Sequence, residues 1–327
     1  MKKILSLFLL LFVLIGTACS KNNEPSSDPV ITPKAPSVIP EKMIVTVPAT
    51  IANKSRSSSS FYQFFELILL SQKIMLQVTI ANAVMIDEII EQNNLVISDQ
   101  PYLGKSFTVT LDFYNKLRYY DLGALEIDQN TLPIGAVFPI QTCTYKNSTD
   151  SNYAYYFEFT ASNDGVNFTT GLFWSADKKK TKIVFNTVIE TTTSTGTTTS
   201  TGIISVTYDD TLKQSAVAIL DVAKNKETVM KLTEDLQNTS NKGVYLSYGY
   251  TGSSPFIKSY VDNNGGIVQA YYFFSYYKEI FNQAGQIVKS LESSNGTTWT
   301  VNTDITTVTG ETVFYENKFD NGQSYFQ

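Results

Sequence analysis

The sequence predicts an α+β protein: a long buried N-terminal helix packed against a large, curved, half-barrel-like antiparallel sheet, with a C-terminal β-meander. Three observations predict it. Residues 60–94 place apolar side chains at helical spacing, with no Gly or Pro to interrupt them. From about residue 105 the apolar period switches to two, as strands require. Turn-forming clusters of Asn, Asp and Gly then divide the chain with little helical pattern between them, which favours antiparallel neighbours.

The N-terminus comes first. Lys2 and Lys3 precede an apolar run from Ile4 to Ile15, broken only by Ser6, and the small residues Gly16, Thr17 and Ala18 follow. That build predicts an export signal over 1–18. The run is shorter than the roughly 20 residues a membrane-spanning helix needs.

The region resembles the signal peptides of bacterial lipoproteins, in which a short lipobox ends in a cysteine that takes a diacylglyceryl group before cleavage. Ala18 and Cys19 match its last two positions and Thr17 fits. Gly16 stands where the family usually has an aliphatic residue, and Ile15 lies one place early. The resemblance implies cleavage between Ala18 and Cys19, fatty acylation (palmitate) of Cys19 and a lipid bilayer as that residue's partner. Ser20, rather than Asp, after the cysteine implies sorting to the outer membrane. Ordinary signal peptidase would cut the same bond and leave a free thiol, able to pair with the second cysteine, Cys143. The two outcomes exclude each other.

Residues 19–42 are expected to form a stalk. Pro25, Pro29, Pro33, Pro36 and Pro40 lie there among Ser, Asn, Lys and Glu, a composition that buries too little apolar surface to fold. Such a spacer reaches on the order of 70 Å. Residues 43–327 read as one folded domain with a sub-boundary near 240–255.

Within it, Met43–Val47 reads as a short strand. The helix over 60–94, in one piece or as two broken near Ser71, opens with Ser60 and Gln63 as a capping box, carries Phe61, Phe64, Phe65, Ile68, Met75, Ile86 and Ile90 at spacings compatible with one face, and is wettest at Asp87, Glu88 and Glu91. Strands follow at 106–115, 153–160, 181–190, 202–208, 215–222 and 243–250, with a short helix expected at 224–236. The hexapeptide TTTSTG occurs at 191–196 and again at 197–202. With no apolar residue to bury, it reads as a mobile surface loop or hairpin tip. Beyond 255 the turns at 262–265 and 282–285, with a third at 320–323, read as successive hairpins rich in Tyr271, Tyr272, Tyr276 and Tyr277.

Composition excludes several chemistries. The chain has no histidine, so Ser-His-Asp and Cys-His sites, His-ligated zinc and imidazole acid–base catalysis are all out. A formal net charge of −5 without basic runs makes nucleic acid a poor partner; Lys178, Lys179 and Lys180 read as a hairpin tip. No cofactor, phosphate-binding or metal motif occurs. Asp209-Asp210 and Asp87-Glu88 are adjacent acids rather than a pair opposed across a cleft.

The expected function is therefore a non-enzymatic binding or structural role for a membrane-anchored envelope lipoprotein. Its exposed loops and aromatic sheet face would meet a protein or polysaccharide. A half-barrel is similar in architecture to periplasmic lipoprotein carriers, which implies a carrier or sensor of a hydrophobic ligand as the alternative. A glycan-acting enzyme is the third reading. It would use carboxylates such as Glu158 and Asp112, with Trp174 or Trp299 as a stacking platform.

Overall fold

The computed structural model describes residues 140–163, 166–193, 196–272 and 274–310 continuously. It also describes 38–40, 43, 48, 72, 76, 79, 82–83, 86–87, 89–95, 106–107, 315 and 319. Ala18, Cys19 and Asp112, most of the 106–115 strand and all but Met43 of the strand at Met43–Val47 lie outside the described residues. Val38, Ile39 and Met43 are buried.

Antiparallel strand dominates. The strands are β1 (Ser106–Phe107), β2 (Ile140–Asn147), β3 (Tyr155–Asn163), β4 (Val166–Trp174), β5 (Lys180–Thr193), β6 (Gly196–Asp209) and β7 (Gln214–Asp221). They continue with β8 (Lys226–Glu234), β9 (Val244–Tyr250), β10 (Ile257–Asp262), β11 (Gly265–Tyr272), β12 (Ser275–Asn282), β13 (Ile287–Ser293) and β14 (Thr300–Val301).

The chain divides into two compact units. The first holds β1–β6 with 76–210 and 219–225; the second holds β8–β14 with 45–75, 211–218 and 226–327. Within each unit, sequence neighbours pair antiparallel, the short-range connectivity that two- to five-residue turns permit.

This corrects the expected α+β architecture. Among the described residues of 60–94, Gln72, Leu76, Thr79, Asn82, Ala83, Ile86, Asp87 and 89–92 are helical in conformation. Among the described residues no helix reaches seven residues, and none forms a long N-terminal helix for a half-barrel to wrap. The apolar stripe was overread. Gln72, Thr79 and Asp87 are buried beside Leu76, Ala83, Ile86 and Ile89, so polar groups that need partners stand among the apolar ones. Gln72 finds them at once. Its amide donates to the Met230 carbonyl at 3.0 Å and accepts from the Ser215 hydroxyl at 2.5 Å. Asp87, expected at a wet end, is buried as well; Glu91 is exposed.

Two further expectations change. The helix placed at 224–236 is strand β8, whose seven register pairs with β9 outweigh the helix propensity of its Lys, Glu, Met and Leu. The threonine repeat is a hairpin tip, one of its two expected forms, and not a loop between strands. It continues β5 and β6 to the tip, with Thr191 opposite Thr198 and Thr193 opposite Gly196, because β-branched threonine suits an extended ladder.

Alternation sorts the first unit's side chains. Cys143, Phe157, Phe159, Leu172, Trp174, Ile183, Ile204, Val206 and Tyr208 are all buried on one face. Tyr145 stacks on Phe157 at 5.1 Å, and Phe157 on Trp174 at 5.8 Å. One polar group is out of place among them. Thr181 is fully buried, and its hydroxyl has no hydrogen-bond partner among the described residues. In the second unit, Tyr245, Tyr260, Ile267 and Ile280 cluster on one face beneath Val288, Tyr315 and Phe319. Val268, Phe281 and Ile287 cluster separately with Ile257 and Ile305.

Candidate functional site

The first unit's other face carries a transverse row set by strand register. Lys146 lies opposite Tyr156, Tyr156 opposite Phe173, and Phe173 opposite Lys182. Four consecutive strands thus present Lys-Tyr-Phe-Lys across the sheet. The two rings stack at 4.2 Å with 13° between their planes, an arrangement contributing about 0.5–1.5 kcal/mol beyond the area it buries.

Glycine makes room for the stack. Gly171 sits beneath the Tyr156 ring, where an added Cβ would come within 2.6 Å of a ring carbon. Any larger residue lifts the ring off Phe173.

Each end of the row is an ion pair. The Lys146 ammonium donates to Glu158 Oε1 at 2.5 Å, and the Tyr156 hydroxyl donates to Glu158 Oε2 at 2.9 Å. The hydrogen bond from Lys146 holds the Glu158 carboxyl below its ordinary value; burial opposes this, and Tyr156 and the lysine charge assist. Burial, with the hydrogen bond to Glu158 and that carboxylate's charge, pushes the Tyr156 phenol up. At the other end Lys182 donates to Asp150 Oδ2 at 3.0 Å. Its ammonium lies 5.5 Å from the centroid of Phe173 and 5.9 Å from that of Tyr153. Burial alone would raise Asp150, but hydrogen bonds from Lys182 and from the Asn152 backbone bring it below its ordinary value. Burial, with the charges of Asp150 and Asp209, takes the Tyr153 phenol up to about 12.

The chemistry follows from these protonation states. Two carboxylates held ionised accept hydrogen bonds and do not donate protons, so neither is prepared as a general acid. The paired acceptors and donors flank the partly exposed Tyr156, while its stacking partner Phe173 is buried.

The individually predicted residues fall elsewhere. Cys143 is a free thiol buried in β2, and burial raises it far above its ordinary value, which makes it unreactive. Trp174 is buried in the core. Trp299 is half-buried, with the Lys278 ammonium 4.3 Å from its ring centroid. Lys178 and Lys179 lie in the β4–β5 turn as expected, and Lys180 opens β5 with its ammonium 3.5 Å from Asp209. Glu158 belongs to the row; Asp112, its supposed partner, is not among the described residues.

Sequence reasoning missed a second constellation, around Asp262. This buried carboxylate accepts from the Tyr315 hydroxyl at 2.7 Å and the Asn264 backbone at 2.8 Å. It also accepts from Asn238 at 3.2 Å and from Tyr260 at 3.4 Å. Asp235, also buried, accepts from Tyr245 at 3.3 Å. Hydroxyl and amide donors saturate Asp262, as a buried polar network requires. The only signal for it was three tyrosines and four Asx residues, and nothing in one sequence joins Tyr315 to the others.

Among the described residues, no group of three or more Cys, Asp or Glu side chains is arranged to hold a metal ion. Comparison with protein-family models, curated proteins and solved structures gives no match.

Proposed function

We propose that this protein is an exported, lipid-anchored envelope protein that binds a polysaccharide through the Lys146–Tyr156–Phe173–Lys182 row, without transforming it. The anchor rests on the lipobox-like Ala18-Cys19. The binding reading rests on one observation: on the sheet face away from the core, two carboxylate–lysine pairs bracket the partly exposed Tyr156, whose ring stacks on the buried Phe173. Sugar rings pair apolar C–H faces with rims of hydroxyls, and that surface offers both complements. Each carboxylate accepts from hydroxyls, each ammonium donates, and the exposed part of the Tyr156 ring supplies the apolar contact.

Two experiments test it. Native gels cast with soluble β-glucan, xylan or mannan should retard the mature chain carrying Cys19→Ser. Tyr156→Ala and Gly171→Ala should each abolish the retardation while circular dichroism stays unchanged. Migration unaltered by all three polysaccharides would overturn the binding reading. Separately, cell fractionation should find the wild-type chain with membranes and Cys19→Ser in the soluble fraction; a membrane-bound Cys19→Ser would remove the anchor.

A further inference from the structure

The β11–β12 hairpin breaks the chain's own turn grammar. Tyr272 pairs with Ser275, so its two-residue loop is Phe273-Phe274, where such loops normally carry Asn-Gly or Asp-Gly. Phe274 has φ +65°, a left-handed conformation that costs an ordinary side chain about 1–2 kcal/mol. Its ring is 85% exposed. Tyr315 has nearly the same backbone, φ +68°, but packs against a core cluster and donates a hydrogen bond to Asp262. Phe274 obtains no such return within the fold.

The surroundings specify what would supply it. Register places the β8 start, the β9–β10 loop, the β11–β12 tip and the β13–β14 loop at one end of the second unit. Segments 226–227, 250–256, 271–276 and 293–300 contain a single lysine, Lys226, and a single acid, Glu227. Glu227 already accepts from the Thr251 hydroxyl at 2.5 Å. The remainder is aromatic, hydroxylic, amide, glycine or proline.

Its layers are graded. Phe274, with no polar atom on its ring, is outermost. Tyr271, 39% exposed, and Tyr276 form a cross-strand pair at 4.7 Å, about 7 Å behind the tip at roughly 3.4 Å per residue. Lys226 is exposed at the same end, its ammonium 3.6 Å from the centroid of Tyr250. Apolar tip, amphipathic tyrosines and a lysine follow the depth profile of a bilayer: acyl chains, interface, phosphate.

We infer that the β11–β12 tip is a membrane-docking finger that inserts Phe274 into the bilayer interface. The occupant is a phospholipid surface, because a sugar platform would place a hydroxyl- or indole-bearing ring outermost, and a bare phenyl group favours acyl chains. One aromatic tip binds a bilayer weakly on its own. The inference rests on the lipid-anchor reading only for its strength in the cell, since a tether from Cys19 holds the domain at millimolar effective concentration against the surface.

The test needs no anchor. In the mature chain with Cys19→Ser, Phe274→Trp is mixed with vesicles of phosphatidylethanolamine and phosphatidylglycerol (3:1), with and without brominated acyl chains. Emission in excess of the Phe274-containing chain should shift to the blue and be quenched by bromine, and Phe274→Asp should weaken vesicle co-sedimentation about tenfold. Because the residue is exposed, both variants should fold, which circular dichroism checks. An unshifted, unquenched Phe274→Trp, or a shift produced by soluble β-glucan instead of vesicles, overturns the finger. That result is independent of fractionation, which tests the anchor.

Discussion

Strand β11 begins and ends in two-residue turns of opposite character. At its start, Asp262 lies opposite Gly265 across Asn263-Asn264. The aspartate accepts from the Asn264 backbone. Gly265, at φ +139°, lies where a Cβ would meet the Phe281 carbonyl oxygen at 2.3 Å. Every residue there is one the backbone demands. At its end, Phe274 holds a left-handed backbone with its side chain 85% exposed. The contrast separates residues chosen by the fold from a residue the fold merely tolerates, and such departures concentrate at functional positions.

Breaking the first turn should have the largest effect. Asp262→Leu leaves Tyr260, Tyr315, Asn238 and Asn264 with donors that lose their acceptor in the protein interior. It should cost about 3 kcal/mol or more in urea unfolding, and Asp262→Asn distinctly less. Equal, small losses would show that the network is solvated and not structural.

Relieving a misfit elsewhere should act in the opposite direction. Thr181→Val replaces the unpartnered hydroxyl with a methyl group of similar volume and should stabilise the first unit by about 1 kcal/mol. A loss in thermal melting would mean that the hydroxyl contributes to the fold after all.

The ion pairs of the row should have the smallest effect, readable through pH. The folded Glu158 value is depressed below the ordinary 4.5. Its stabilisation is therefore complete above that value and is lost as pH falls through the lower folded value. With both side chains partly solvent-exposed, the pair is worth about 0.2–1 kcal/mol. Glu158→Gln should lower stability at pH 7 by that amount and match wild type near pH 2. Asp150 should behave alike. A constant difference across that range would assign the effect to packing.

Much of the strand content was legible because alternation is a local signal. The strands at 153–160, 181–190, 202–208, 215–222 and 243–250 overlap β3, β5, β6, β7 and β9 to within two residues at the ends they overshoot, and Asn163-Asp164-Gly165 announced the hairpin that closes with Asn163 opposite Val166. The helix at 60–94 misled because periodicity records where apolar residues recur and not what stands between them; Gln72, Thr79 and Asp87 were invisible to it. In β8, tertiary pairing overrode propensity. The candidate row was half visible. Tyr156 and Glu158 share a strand face by spacing, but Lys146, Phe173 and Lys182 join them only through register. The Phe-Phe turn was readable as a missing Asn or Gly between tyrosine-rich strands, and it attracted no notice because aromatic density alone suggested packing.

The most direct test of this contrast is urea unfolding of Phe274→Asn beside wild type. Asparagine tolerates a positive φ and removes the exposed ring. If Phe274 is retained for a surface outside the fold, the variant unfolds at a higher midpoint, by about 1 kcal/mol. An equal or lower midpoint would show that the phenyl ring stabilises the protein itself and would contradict the account.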